Sequence, residues 1–182
     1  MNKPPSAVFL DRDGTIIEDG HYISRLNQVR LIDGAAIAIA RINAASIPVI
    51  VVTNQSGIGR GFFTIADYER LVIHLEEMLA VHGAHLDASY YCPHAPDDLC
   101  NCRKPGGALF EQAARERPGI DLGCSLYIGD RWRDIAPGIA FGGTGVLVPS
   151  PETPRSEIDL AGETACVAKS MGQVLDWYLA AR

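Results

Sequence analysis

The sequence predicts an α/β fold, in which a parallel, Rossmann-like sheet is covered by helices on both faces. Short apolar runs alternate along the 182 residues with longer segments of helical periodicity. One run is β-branched and almost continuously apolar, as expected for a parallel strand that is buried on both faces. Polar side chains follow the ends of these runs, at the sheet edge where such folds bind their ligands.

Five apolar runs are the predicted strands, and four segments between them suit helices. The strands are predicted at residues 7–10, 47–53, 87–92, 125–129 and 144–148. The helices are predicted at 34–45, 64–83, 106–117 and 131–143, the last despite an internal proline, Pro137. After Val148, the proline-rich stretch "PSPETPRSE" predicts a loop that leads to a terminal helix over residues 171–182.

Composition predicts one globular domain that spans residues 1–182. The chain is 47% hydrophobic and 21% charged, which argues against disorder, and its net charge of −6 does not favour nucleic acid or anionic membranes as partners. The N-terminus lacks the apolar region of a signal peptide, and no run approaches the roughly 18 apolar residues that span a bilayer. We therefore expect a cytoplasmic protein, by default a monomer, whose clustered cysteines stay reduced.

Two aspartates directly follow the first strand. Asp11 and Asp13 lie two residues apart in "FLDRDGTI", and in an extended segment their carboxylates share one face. Such a pair can divide the roles of nucleophile and proton carrier, although Asp and Gly together also form ordinary turns. Asp130 and Asp134, after the fourth strand, shift the interpretation towards chemistry, because several carboxylates at one edge suit Mg²⁺.

Two further segments offer groups that a phosphate would need. The second strand ends in a hydroxyl at Thr53 and an amide at Asn54, followed by a glycine-rich backbone. Arg103 offers a planar fork for anions and Lys104 a compact positive charge. Taken singly, each basic residue would be interpreted as a solvated surface charge.

Four stretches, in this order, resemble the four motifs of the haloacid dehalogenase-like phosphatases: "FLDRDGT", "VVTNQ", "RKP" and "YIGDRWRD". They run from Phe9 to Asp134 and so cover most of the chain. The resemblance implies an α/β phosphatase that forms an aspartyl-phosphate and requires Mg²⁺. Asp134 matches the later acidic position of the fourth motif, where it would support the site without binding the metal.

The resemblance also implies a role for each matched residue. Asp11 would be the nucleophile and Asp13 the general acid and then base, while Thr53 and Lys104 would hold the transferring phosphoryl group. The Mg²⁺ ligands would be Asp11, Asp130 and the main-chain carbonyl of Asp13. These roles agree with the chemistry, since covalent catalysis divides one displacement into two steps and positive charge offsets the charge on the phosphoryl oxygens.

The stretch "YYCPHAPDDLCNC" concentrates thiols in an otherwise ordinary sequence. Cys92, His94, Cys100 and Cys102 form a Cys₃His set, which is a ligand set of structural zinc sites. The alternatives are buried thiols beside a surface histidine, which this density disfavours, and a redox pair, which the lack of C-x-x-C disfavours. The other two cysteines, Cys124 and Cys166, are expected to be small buried apolar residues.

The cysteine segment, which we call the zinc loop (residues 92–102), is also similar to that of one branch of these phosphatases. The branch contains the D-glycero-D-manno-heptose 1,7-bisphosphate 7-phosphatases, whose pathway leads to lipopolysaccharide, and the histidinol-phosphate phosphatases. Because Arg103 and Lys104 follow at once, the zinc would organise substrate recognition. With four protein ligands, no position remains for water, so the zinc is expected to be structural.

The spacing between motifs leaves no room for a large cap domain, so the rim of a nearly capless enzyme must recognise the substrate. The stretch "EDGHYIS" resembles the rim loop of the heptose enzymes, which implies substrate contacts for Asp19, Gly20, His21 and Tyr22. Further candidates for contacts with the substrate are Asn54, Arg103 and Arg131. Arg103 is the candidate for the remote phosphate of a bisphosphate, and Arg131 stands where the heptose enzymes more often carry lysine.

Three alternatives remain open from the sequence. A histidinol-phosphate phosphatase would share the chemistry and could meet its substrate's amine with Glu18, Asp19, Asp97 or Asp98. A phosphorylated receiver domain, or another phospho-acceptor and zinc-binding module, would keep its aspartyl-phosphate, which an acid/base at Asp13 disfavours. A zinc-dependent nucleic-acid-binding protein or polynucleotide phosphatase is disfavoured by the charge of −6 and by the lack of a basic stripe.

Overall fold

A computed structural model describes residues 4–179 and contains, within them, a six-stranded, entirely parallel sheet. Its strands are β1 (Val8–Leu10), β2 (Val49–Asn54), β3 (Ala88–Cys92), β4 (Leu126–Gly129), β5 (Thr144–Leu147) and β6 (Cys166–Val167). The five predicted strands are therefore confirmed. The sixth was not predicted, because two residues are too short to show a period.

Helices connect the strands. They are α1 (Ala35–Ala44), α2 (Ser56–Gly59), α3 (Ile65–Ala80), α4 (Ala108–Glu116), α5 (Trp132–Ala140), α6 (Arg155–Thr164) and α7 (Met171–Tyr178), with 3₁₀ turns at Leu26–Gln28 and Leu122–Cys124. The four helices predicted between strands are confirmed. The terminal helix is confirmed over α7, and the last three residues predicted for it, 180–182, lie outside the described part of the chain.

Strand order places the functional edge. The sheet runs β3-β2-β1-β4-β5-β6, so the chain departs from β1 first to one side and later to the other. Leu10 pairs with both Val51 and Ile128, which brings the C-terminal ends of β1, β2 and β4 to the same level. Ligands of such sheets bind beyond this switch point, so the polar groups that follow these strands meet at one place.

Alternate residues of the central strands enter two different cores. Val8 and Leu10 of β1 pack with the apolar faces of α1, α3 and α7. Phe9 points to the opposite face, where its ring stacks on Tyr127 with 4.9 Å between centroids and meets Phe110 of α4 edge-on. The predicted cover of helices on both faces is thereby confirmed, and both faces hold β1 rigidly below the residues that follow it.

The structure corrects two details of the sequence analysis. The stretch predicted as a loop after Val148 turns into α6 at Arg155, because its last proline, Pro154, occupies the N-cap, where a missing N–H costs nothing. Cys124 is exposed at the end of a 3₁₀ turn, so the expectation that it is buried was wrong. Cys166 lies half-buried in β6 against the first core.

None of the helices among residues 4–179 combines the length and the apolarity that crossing a membrane requires.

Candidate active site

A buried lysine joins two carboxylates at the centre of the sheet edge. The Lys104 Nζ lies 2.6 Å from Asp11 Oδ1 and 2.7 Å from Asp134 Oδ1, and it donates to the Val52 carbonyl at 2.6 Å. Lys104 is only 3% exposed. Burial alone would lower the pKa of this amine, but the charges of Asp11 and Asp134 outweigh it and raise the pKa above its ordinary value. Lys104 is therefore a fixed positive charge beside Asp11.

Asp11, Asp130 and Asp134 form a cluster of buried carboxylates with ligand atoms all within 4.8 Å of one another. Burial raises the pKa of Asp11 to about 7, against the lowering effect of Lys104, and raises the pKa of Asp130 to about 6. The single positive charge of Lys104 cannot balance the negative charge of all three carboxylates when they are ionised. Hard oxygen donors of this kind suit Mg²⁺, so the residues present fit that ion.

Glycine is required at position 14 because the backbone there passes directly against Asp130. Gly14 has a φ of +81°, and a Cβ at this position would lie 2.4 Å from Asp130 Oδ2. The turn after β1 thus places the loop that carries Asp11 and Asp13 against the carboxylate that follows β4. Any side chain at this position would push Asp130 out of the cluster.

The carboxylate of Asp13 points to a different set of partners. Arg12 donates to both of its oxygens at 2.9–3.2 Å, and Gln55 Nε2 donates to Oδ2 at 2.9 Å. The Arg12 guanidinium is itself buried and lies 5.4 Å from the centroid of the Tyr68 ring. Gln55 also donates to Thr53 Oγ1 at 2.9 Å, so one amide links the predicted acid/base to the predicted phosphate ligand.

Two predicted substrate contacts are engaged with the protein itself. The Asn54 side chain accepts from the backbone N–H of Lys104 at 2.9 Å and donates to the Lys104 carbonyl at 3.1 Å. These bonds fix the backbone that follows the zinc loop against the end of β2. Arg131 donates to Glu157 of α6, with the closest contact at 3.0 Å. In this arrangement Asn54 holds the backbone of Lys104 and Arg131 faces α6.

A cleft of about 320 Å³ opens beside Asp13 and contains most of the predicted rim. Asp19, His21, Tyr22 and Arg103 line it, whereas Gly20 lies next to this lining without joining it. His21 and Tyr22 have φ values of +48° and +60°, a backbone strain that is found more often at binding sites than elsewhere. The strained turn presents both side chains to the cleft.

Besides Arg12, two arginines that the sequence analysis missed line the cleft, Arg60 and Arg133. The Arg60 guanidinium lies 5.8 Å from the centroid of the Tyr22 ring, and Tyr22 meets Phe62 edge-on at 4.7 Å. With Arg103, three arginines line the cleft besides Arg12, which is paired with Asp13, and the acids of the lining are Asp13 and Asp19. The cleft is therefore suited to a ligand that carries negative charge beyond the group bound at Asp11.

The four predicted zinc ligands come together in space. The Cys92 Sγ lies 3.2 Å from the Cys102 Sγ and 3.7 Å from the Cys100 Sγ, and His94 Nδ1 lies 3.1 Å from the Cys102 Sγ. Zn–S bonds of 2.3 Å in a tetrahedron give sulfur separations of about 3.8 Å, so the cluster is close to the size that zinc needs. Cys92 is buried at the end of β3, which anchors the loop to the sheet.

Residues missed by the sequence analysis hold the predicted ones in place. They are Arg12, Gln55, Tyr68, Ser150, Thr153 and Glu157, besides the two arginines of the cleft. Arg12 and Gln55 adjoin motif residues, and that proximity was the signal available for them. The others lie far along the chain from the groups they contact, and no local pattern marks them.

Comparisons with known proteins agree with this geometry. A family model described as HAD-hydrolase-like matches residues 101–174. A D-glycero-beta-D-manno-heptose-1,7-bisphosphate 7-phosphatase of Escherichia coli O6:H1 is 40% identical over 167 residues, which is 86% of this chain and 87% of that protein. A probable D-glycero-D-manno-heptose-1,7-bisphosphate 7-phosphatase of Thermoplasma acidophilum is 39% identical over 130 residues, 71% of this chain and 81% of that one.

Solved structures resemble the whole described fold. The crystal structure of D,D-heptose 1,7-bisphosphate phosphatase from B. bronchiseptica, complexed with magnesium and phosphate, superposes with a TM-score of 0.86 and 31% identity, covering 95% of this chain and 98% of the other. The corresponding phosphatase from Burkholderia thailandensis gives a TM-score of 0.72 at 27% identity, over 96% and 99% of the two chains. The likeness therefore includes the parts of the chain outside the four motifs.

Proposed function

Since the chain belongs to the haloacid dehalogenase-like phosphatases, we propose that it removes the 7-phosphate of D-glycero-D-manno-heptose 1,7-bisphosphate. The observation that carries the proposal is the Asp11–Lys104 pair beside a cleft that three arginines line besides the Asp13-bound Arg12. The pair suits attack on one phosphate, and the arginines suit a substrate that carries a second. Among the alternatives left open by the sequence, a histidinol-phosphate phosphatase shares the first requirement, but the imidazole and amine of its substrate do not match the arginines.

The proposed reaction has two displacements at phosphorus. A carboxylate oxygen of Asp11 attacks, the P–O bond to the sugar breaks, and Asp13 gives its proton to the leaving oxygen. Asp13 then takes a proton from water, whose oxygen attacks the aspartyl-phosphate and releases inorganic phosphate and Asp11. Lys104 and Thr53 hold the phosphoryl oxygens during both steps, while Arg12 and Gln55 hold the Asp13 carboxylate in position.

Two metals belong to the proposal. Mg²⁺ would be held by Asp11, Asp130 and the main-chain carbonyl of Asp13, and when bound it supplies the positive charge that the buried carboxylates lack. Asp134, already paired with Lys104, supports the site. A structural Zn²⁺ would be held by the complete ligand set of the zinc loop, Cys92, His94, Cys100 and Cys102, which leaves it no position for water.

The substrate proposal predicts a preference that can be measured by phosphate release with Mg²⁺. We expect kcat/KM for one anomer of the heptose 1,7-bisphosphate to exceed that for histidinol phosphate by roughly 10- to 100-fold, since a lost charge-assisted contact costs about 1.5–3 kcal/mol. Heptose 7-phosphate, which lacks the remote phosphate, is the matched control and should lose most of this advantage.

Variants of the cleft connect this preference to the arginines. Arg103→Met should raise KM for the bisphosphate and change KM for heptose 7-phosphate little. A higher kcat/KM for histidinol phosphate than for either anomer would contradict the proposed substrate, and it would leave the roles of Asp11 and Asp13 unchanged.

The raised pKa values of Asp11 and Asp130 predict how pH affects stability without Mg²⁺. Their folded-state pKa values, about 7 and about 6, lie above the ordinary 3.8, so the folded protein binds more protons than the unfolded chain between these values. This contribution to stability is full below pH 4 and is lost as pH rises through 6 to 7. Bound Mg²⁺ would offset the negative charge that Asp11 and Asp130 gain when they lose their protons.

Thermal unfolding at several pH values checks this prediction. The unfolding temperature of zinc-replete protein in Mg²⁺-free buffer should fall between pH 6 and pH 8. Added Mg²⁺ should raise this temperature more at pH 8 than at pH 6. The buffer must omit chelators, because they would remove zinc. An equal effect of Mg²⁺ at both pH values would contradict the assignment of Asp11 and Asp130 as its ligands.

We also propose that residues 1–182 form one domain, which the single sheet of the described residues supports. Monomeric state and cytoplasmic location stay predictions, and light scattering of the purified chain would test the first.

A further inference from the structure

The proline-rich segment that follows β5 contacts the turn that carries Asp130 through three side chains. Ser150 Oγ donates to Asp130 Oδ2 at 2.6 Å, and Thr153 Oγ1 donates to the Asp130 carbonyl at 2.7 Å. Glu157, at the start of α6, accepts from the backbone N–H of Trp132 and from the Arg131 guanidinium. Residues 150–157 therefore contact three consecutive residues, 130, 131 and 132.

The contacts are built into a structured turn. Ser150 N donates to Thr153 Oγ1 at 2.9 Å and Thr153 N donates to the Ser150 carbonyl at 3.1 Å, so the two hydroxyl residues fix each other. Thr153 is 9% exposed and Asp130 only 2%, which keeps water from replacing these bonds. The backbone of Gly14 also lies directly against the Asp130 carboxylate.

We propose that Ser150 and Thr153 are positioning residues that orient Asp130 for Mg²⁺, with Glu157 fixing the turn behind it; the inference rests on the proposed function of this site. The Ser150 hydroxyl donates to one oxygen of the carboxylate that clusters with Asp11 and Asp134, and this bond fixes the orientation of the carboxylate. Thr153 fixes the backbone from which that carboxylate extends. Groups that hold a metal ligand in this way typically change metal affinity 10–100-fold when removed.

The test is Mg²⁺ binding to zinc-replete protein without substrate, measured by titration calorimetry. Ser150→Ala should raise the Mg²⁺ Kd about 10-fold or more, and Thr153→Val likewise, whereas Thr153→Ser, which keeps the hydroxyl, should restore most of the affinity. Ser156→Ala is the matched control, because Ser156 is exposed in the same segment. In turnover, the Mg²⁺ concentration for half-maximal rate should rise, while kcat at saturating Mg²⁺ recovers.

The outcomes separate this inference from the function it rests on. Wild-type affinity for Mg²⁺ in Ser150→Ala and Thr153→Val would overturn the positioning role alone, even if both variants unfold at lower temperature, because a merely structural role lowers stability without changing Kd. No Mg²⁺ binding by the wild-type protein would overturn the proposed metal site and this inference together. If the wild-type protein binds Mg²⁺ but does not hydrolyse heptose bisphosphate, only the proposed substrate would be contradicted.

Discussion

Asp11→Asn is expected to abolish phosphate release, with a loss in kcat of at least about four orders of magnitude. The amide cannot attack phosphorus as the carboxylate does, and the other carboxylate on the Lys104 amine, Asp134, is also held by the backbone N–H of Arg131. Phosphate release from heptose 1,7-bisphosphate, measured with saturating Mg²⁺, checks the prediction. Residual turnover above about one per cent would contradict the assignment of Asp11 as nucleophile.

The same variant should not be less stable. In Mg²⁺-free buffer at pH 8, wild-type Asp11 is charged although burial raises its pKa to about 7, and the neutral amide removes that unfavourable charge. The unfolding temperature of Asp11→Asn is therefore expected to equal or exceed that of the wild type, and its zinc content should be unchanged. Asp33→Asn, which removes the same charge from an exposed position, is the control and should keep full activity.

The edge that gathers the candidate site residues could be predicted from the sequence because several strands end at or directly before these residues. Asp11 follows β1, Thr53 lies at the end of β2 and Asp130 follows β4, and parallel strands in register bring these positions together. The pattern needs only local information, namely where an apolar run stops. Cys92, the last residue of β3, entered the predictions in the same way.

The groups that orient these residues could not be predicted, because their contacts link distant parts of the chain. Tyr68 lies on α3 and contacts Arg12, which follows β1. Glu157 lies on α6, a helix that the three prolines before it made difficult to predict. Arg131 shows the consequence. Its position in the fourth motif suggested a substrate contact, and only the structure reveals Glu157 as its partner.

Exposure of single residues was equally difficult to predict. Cysteine is usually buried, and this tendency gave the wrong result for Cys124, which lies in a short 3₁₀ turn at the sheet edge opposite the active site. The tendency succeeds only where an element has a clear apolar face. Within the zinc loop, in contrast, spacing in the sequence was sufficient, because four ligands within eleven residues are close in any compact loop.

Cys102→Ser is expected to lower zinc content from about one ion per chain to a small fraction, and to destabilise the protein. The Cys102 Sγ lies within 3.2 Å of both Cys92 Sγ and His94 Nδ1, so its loss leaves an incomplete ligand set. A loss of about 3–5 kcal/mol would lower the unfolding temperature of a chain of this size by roughly 10 °C. Cys124→Ser, outside the cluster, is the matched control and should keep its zinc.

Activity should fall in the same variant only because the zinc loop no longer fixes the position of the residues that follow it. The next residues are Arg103 and Lys104, and the Asn54 side chain fixes the backbone of Lys104 but cannot fix Arg103. We therefore expect kcat/KM to drop by roughly 100-fold for the bisphosphate, mostly through KM, as for a misplaced binding group. Loss of zinc without loss of activity would contradict the proposed link between the zinc loop and substrate recognition.

Replacing the metal distinguishes a structural zinc from a catalytic one. Co²⁺ accepts the same tetrahedral ligands, and if the metal only holds the loop, the Co²⁺ protein should match the zinc protein in kcat and in its dependence on Mg²⁺. A metal that activated water would change kcat when exchanged, since it would set the acidity of that water. Because the four side chains, within 4.8 Å of one another, would fill a tetrahedral site, we expect no change, and a change of tenfold or more would contradict a purely structural role for the metal.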